Sequence, residues 1–185
     1  RSKLWTKSNT PPHILVMTAT PIPRTLAMTL YGELDVSLLD ELPPGRKPVK
    51  TVHMYQEQRL TIISFMKKQI AEGHQIYIVY PLIKESEKMD LINLQEGYEA
   101  LPRDFPEPEY RICVVHAQLS ADDKEVEMQR FIKNQAHIMV ATTVIEVGVN
   151  VPNASVMIIE NANRFGLSQL HQLRGRVGRG AEQSY

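Results

Sequence analysis

A chain of 185 residues, 43% of them hydrophobic, can bury one core with an appended piece. Its 21 Lys plus Arg balance 21 Asp plus Glu, which excludes a global basic field as the means of holding nucleic acid, so any basic surface must be local. The single cysteine, Cys113, excludes an internal disulfide and reads as a buried, inert thiol suited to a reducing cytosol; with no apolar run near the roughly 20 residues of a membrane helix and no signal-peptide pattern, the expectation is a soluble chain.

Residues 1–24 carry Arg1, Lys3, Lys7 and Arg24 with no acidic residue. Within them HILVMTA, 13–19, predicts a buried strand stopped by Thr20, Pro21 and Pro23. RTLAMTLYG predicts a short helix closed at Gly32, and DVSLLDEL a further strand. LPPGRKP, 42–48, with three prolines and a glycine, reads as a linker, and the domain boundary is placed there: 1–46 against 47–185.

Beyond the linker the pattern alternates. VKTVHMY predicts a strand, and EQRLTIISFMKKQIAEG a helix with Leu60, Ile63, Met66 and Ile70 inward and Gly73 as its stop. QIYIVYPLI is a continuous apolar strand of the kind covered on both faces in parallel sheets. The segment 84–109, its charges mostly acidic, predicts a helix near Met89 to Leu101 followed by the proline-rich LPRDFPEPEY. RICVVHA predicts a strand. Ser120 then caps a helix with Asp122 and Asp123 at its positive end and Met128, Phe131 and Ile132 inward. HIMVAT, SVMIIE and a helix from about Ser168 complete an α/β series with a parallel sheet.

The stretch HQLRGRVGRG, 171–180, concentrates the chemistry. On a helix, Gln172, Arg176 and Arg179, spaced by four and three, share one face. Guanidinium forks match phosphate oxygens and can neutralise charge that develops in phosphoryl transfer. A solvated basic helix end is the plainer reading, but two glycines inside a helix cost about 1 kcal/mol each relative to alanine, which favours the phosphate-facing one.

These residues resemble a known family. QLRGRVGR fits Q-x-x-G-R-x-x-R, the sixth motif of superfamily 2 helicases and translocases; MTATPIPRT, 17–25, resembles their third motif and ATTVIEVGVNVPNA, 141–154, their fifth. In PIPRTLAMTLYGELDVSLLDELPPGRKPV and IENANRFGLSQLHQLRGRVGRG the wording resembles the RecG family of bacterial ATP-dependent DNA helicases, over nearly the whole chain. The transcription-repair coupling translocases share TATPIPRT and LHQLRGRVGR but depart at YGELDVSLLDELPPGR. A third reading, from a different class, is a RecA-like module that binds DNA or protein without hydrolysis.

The resemblance implies a RecA-like parallel sheet flanked by helices, the second helicase motor lobe incomplete at its C-terminus, preceded by a remnant of the first lobe. It implies that Arg176 and Arg179 act as arginine fingers with Gln172 sensing the γ-phosphate, and that Gly148 and Asn150 lie on the nucleotide side. Asn150 stands where many relatives carry aspartate, so the charge of that position is absent here. Thr142, Thr143 and Glu146 would contribute to the DNA grip, and Thr18 and Thr20 would couple nucleotide state to it. His116 and Gln118 align with a segment near the DNA path, although a histidine after a buried strand is more often a structural hydrogen bonder. Neither a G-x-x-x-x-G-K-[ST] loop nor a D-E-x-[HQ] cluster occurs. ATP and Mg2+ would therefore be held mainly by a first lobe outside this sequence, and the isolated piece is expected to be inactive. The implied partners are branched or double-stranded DNA, the first motor lobe of the same chain and single-stranded-DNA-binding protein, in the bacterial cytoplasm and with no membrane. The first forty-odd residues are expected to be displaced or to pack unusually for want of their sheet partners.

Overall fold

A computed structural model describes residues 15, 17, 37, 39, 41, 45–81, 100–116, 118–142, 151–180 and 182–185. The chain divides into two compact units, Arg1–Asp40 and Glu41–Tyr185, and nearly all described residues lie in the second. The predicted helix of 24–32, most of the strands at 13–19 and 35–42, and the packing of 1–46 fall outside the described residues. Of the first strand, Leu15 and Met17 are described, and both are exposed, against the burial expected of them. An apolar run is buried only where neighbouring strands cover it, and these two residues belong to none of the described strands.

Among the described residues four parallel strands form the sheet of the second unit. They are β1 (Gln75–Tyr80), β2 (Ile112–Val115), β3 (Ile138–Thr142) and β4 (Ala154–Ile159), in the order β2-β3-β1-β4. All six residues of β1 are buried, as its unbroken apolar run requires of a strand flanked on both sides. Its side chains alternate: Ile76, Ile78 and Tyr80 join one layer, with Met66, Leu101 and Phe105, whereas Tyr77 and Val79 face the other.

Helix α1 (Arg59–Ala71) covers the first face through Met66, Ile62, Ile63 and Ile70. It ends in a Schellman motif: Gly73, at φ +90°, donates to Ile70, and His74 donates to Gln69. Leu60, expected inward, is 77% exposed. Its neighbour Arg59 pairs with Glu160, the residue after β4, so the first turn of α1 overhangs the C-terminal edge of the sheet and leaves Leu60 nothing to pack on. Helix α2 (Ala121–Ile132) lies on the second face with Phe131 fully buried, and Ser120 Oγ accepts from Asp123 N at 3.1 Å as the expected cap. Ile132, also expected inward, faces solvent, because one residue of helix turns it about 100° from Phe131.

The expected strand VKTVHMY joins no ladder among the described residues, and Val52 and Tyr55 within it are exposed. One bond from Lys50 N to Ser184 O holds it to the C-terminal residues. Those residues in turn pair with β4: Tyr185 N donates to Ser155 O, and Met157 N to Tyr185 O. Gln75 ties the second layer together, since its buried amide donates to the carbonyls of Phe131 and Ala136 at 2.7 and 2.8 Å.

Candidate functional site

The C-terminal edge of a parallel sheet is where α/β proteins gather ligands, because the strands end there and helices begin. Thr142 is the last residue of β3 and lies beside Tyr80 of β1. It is 3% exposed, and its Oγ1 has no hydrogen-bond partner among the described residues. A buried hydroxyl without a partner costs free energy unless something else satisfies it, which suits a group awaiting a ligand oxygen. Ser155 Oγ and His116 Nδ1 are also unpartnered, so the feature is shared rather than unique.

At the same edge Glu160 pairs with Arg59, and the Tyr80 phenol is a further partner of Arg59. Burial, and then the charge of Glu160, push the Tyr80 phenol up to about 12. No spacing rule could have found this trio, because its members are far apart in the chain. Glu160 N also donates to Val79 O, fixing the start of the turn that leads to α3 (Leu167–Arg174). Phe165 and Leu173 pack on Val79, and Gln169 Oε1 accepts from Gly166 N at 3.0 Å at the helix start.

Helix α3 ends at Arg174, with Gly175 as its cap, so Arg176 and Arg179 do not lie on a helical face with Gln172 as the spacing suggested. Tight-turn bonds from Arg176 N to Leu173 O and from Val177 N to Arg174 O close the helix. Gly178 then takes φ +76°, a left-handed conformation that no helix continues through. Val177 is buried against Tyr77, Val151 and Ala154, so the arginine loop is seated on the core. Gln172 stays on α3 and is exposed; Arg176 and Arg179 emerge partly exposed on either side of Val177 and Gly178.

Neither guanidinium forms an ion pair with a carboxylate among the described residues; the pairs there are Arg59–Glu160, Lys68–Glu72 and Arg130–Glu127. Arg179 Nε makes a long contact, 3.5 Å, with the Gly175 carbonyl. Burial pushes the Tyr77 phenol up to about 12, with Arg179 and Arg176 acting in the opposite direction. Tyr77 is therefore neutral near pH 7 and supplies no counter-charge. Two cations on a seated loop, unpaired among the described residues, suit an external anion carrying several oxygens.

Among the described residues no group of three or more His, Cys, Asp or Glu is placed to hold a metal ion. Thr18, Thr20, Thr143, Glu146, Gly148 and Asn150 lie outside the described residues. His116 Nδ1 makes no hydrogen bond among the described residues; burial, and then Lys124, pull its pKa below the ordinary imidazole value. Gln118 is exposed. Cys113 is buried and free, its thiol pushed up to about 12 by burial. No helix among the described residues is long and apolar enough to cross a membrane.

Residues 57–181 match the family model of the helicase conserved C-terminal domain. Over all 185 residues the chain is 52% identical to the ATP-dependent DNA helicase RecG of Synechocystis sp. and 49% identical to that of Bacillus subtilis, covering 22% and 27% of those proteins. It thus spans about a quarter of the length of these relatives. A solved structure of RecG bound to a three-way DNA junction matches with a TM-score of 0.73 and 45% identity, over 90% of this chain and 21% of that one. The second domain of the DEAD-box helicase Mss116p, bound to an RNA duplex, shares the fold at a TM-score of 0.51 and 20% identity, over 69% of this chain and 47% of that one. The chain belongs to the family of helicase conserved C-terminal domains, and within that family its likeness is to RecG.

Proposed function

We propose that this chain is the second motor lobe, with the end of the first, of a longer ATP-dependent DNA helicase that remodels branched DNA in recombination and repair in the bacterial cytoplasm. The lobe boundary is taken at 46/47. The observation that supports this reading best is the pair of guanidiniums, Arg176 and Arg179, that form no ion pair among the described residues, on a loop seated against the sheet. ATP is the substrate, its base, phosphates and Mg2+ held by a preceding lobe. Arg176 and Arg179 reach across the cleft between lobes and stabilise charge that builds on the transferred phosphoryl oxygens. Gln172 and, by family likeness, Gly148 and Asn150 complete the nucleotide side. Closure on ATP and opening after hydrolysis alternate the grip on a DNA strand. Thr142, whose hydroxyl has no partner among the described residues, belongs to that grip with Thr143 and Glu146, and Thr18 and Thr20 couple it to nucleotide state. Single-stranded-DNA-binding protein is a further partner under this reading.

The test is Arg176→Ala in the whole protein. DNA-stimulated ATP turnover is expected to fall by about 10³-fold, the low end of what an arginine finger supplies, while equilibrium binding of a fluorescent nucleotide changes by less than about threefold. Unchanged turnover would contradict the assignment.

A further inference from the structure

The residues that lead into this domain are fastened to the arginine loop. Val49 Cγ2 lies 2.8 Å from where a Cβ on Gly178 would stand, so the valine fills the space left by the missing side chain between Arg176 and Arg179. Gln183 Nε2 donates to the Pro48 carbonyl at 2.9 Å, and Lys50 N donates to Ser184 O at 2.9 Å. Val49 also packs on the cluster that buries Val177, Tyr77 and Ala154. On the other side, Gly180 has the Pro152 carbonyl 3.0 Å from its own Cβ position. The loop is thus held from two directions, and one of them is the segment 48–50.

We propose that residues 48–50 form a strap that sets the position of Arg176 and Arg179, with Val49 and Gln183 as positioning residues. The inference rests on the reading of those arginines as nucleotide-facing. Its physical content is that the peptide entering this domain and the loop carrying both cations move as one body. Any pull on residues 46–48 is transmitted through Val49 to Gly178 rather than absorbed by a slack connection. Orientation of a catalytic cation matters because a misplacement of about 1 Å can cost on the order of 10²-fold in rate. A core contact of ordinary kind would affect stability and leave turnover of the folded enzyme alone.

The experiment compares Val49→Ala, Gln183→Ala, Met128→Ala and Arg176→Ala in the whole protein, measuring kcat and KM for ATP with saturating forked DNA alongside the thermal midpoint. Met128 packs on the same cluster from α2 and serves as the packing control. Val49→Ala and Gln183→Ala are each expected to lower kcat about tenfold with KM for ATP changed less than about twofold, Val49→Ile to restore it, and Met128→Ala to turn over within about twofold of the parent. Gln183 is a surface side chain in its bond to Pro48, so its variant keeps the test open should Val49→Ala fold poorly. If Arg176→Ala cripples turnover while Val49→Ala and Gln183→Ala behave like Met128→Ala, the strap is refuted and the finger reading stands. If Arg176→Ala turns over normally, the finger reading fails and the strap falls with it.

Discussion

Replacing Gly178 by alanine applies two separable perturbations to the arginine loop. The first is backbone: φ +76° is open to glycine and costs an L-residue about 1–2 kcal/mol. The second is contact: the new Cβ would stand 2.8 Å from Val49 Cγ2, whereas carbon atoms rest at about 3.5–4.0 Å, so something must move by close to 1 Å. Overpacking of that kind costs typically 1–3 kcal/mol, giving a sum of about 2–5 kcal/mol. Gly73 supplies an internal control, since it has φ +90° and nothing within 4 Å of its Cβ position. Gly73→Ala should therefore cost the backbone part alone, about 1–2 kcal/mol. The assay is urea unfolding of the 185-residue chain followed by far-ultraviolet circular dichroism, with Gly178→Ala also made in a Val49→Ala background. Removing the valine methyls should recover the contact part, a coupling of about 1–3 kcal/mol between the two sites. Equal costs at Gly73 and Gly178, or additivity of the double variant within about 0.5 kcal/mol, would refute the argued contact.

Three further outcomes are expected. Gln75→Met keeps the volume of a buried side chain but strips the amide that serves Phe131 O and Ala136 O; urea unfolding should show a loss of about 1–3 kcal/mol, and hydrogen exchange should be faster at the end of α2. Stability should fall in alkali. Tyr77, Tyr80 and Cys113 titrate at about 12 when folded but near 10, 10 and 9 when unfolded, so the unfolded chain releases protons first as pH rises from 9 to 12. Each group contributes a slope of about 1.4 kcal/mol per pH unit within its window, and a flat stability profile from pH 8 to 11 would contradict their burial. On the acid side, burial lowers His137, whose Nδ1 accepts from Arg111 N at 3.1 Å; its contribution is present above about pH 6.5 and lost as pH falls, and the ring's NMR titration should show a midpoint below that value.

Much of the fold was legible because its signals are local. The unbroken apolar run of β1 announced a strand covered on both faces, Gly73 announced a helix stop, and Ser120 followed by Asp123 announced a helix start; each rests on bonds or periods within a few residues. The failures have one source. VKTVHMY carries strand residues, but among the described residues its one backbone bond to a distant segment is Lys50 N to Ser184 O, because a strand exists only through a partner. Leu60 and Ile132 fit helical stripes but lie where the sheet offers no surface. Arg176 and Arg179 fit a helical spacing with Gln172, yet the helix stops at Arg174.

The sequence by itself determined which residue types this site would hold: two arginines among glycines, a threonine closing a buried strand, and an alternation of strands and helices that admits a parallel sheet. Tertiary structure alone decided that β1 lies between β3 and β4, that Arg59 meets Glu160 at the sheet edge, and that Val49 sits against Gly178. Those contacts join residues far apart in the chain, from Ile76 beside Ile138 to Val49 beside Gly178, and no local propensity or spacing encodes them. Only when the sheet has buried its two faces do these side chains come within reach of one another, and the loop that carries the arginines takes its shape from that packing rather than from the helix that precedes it.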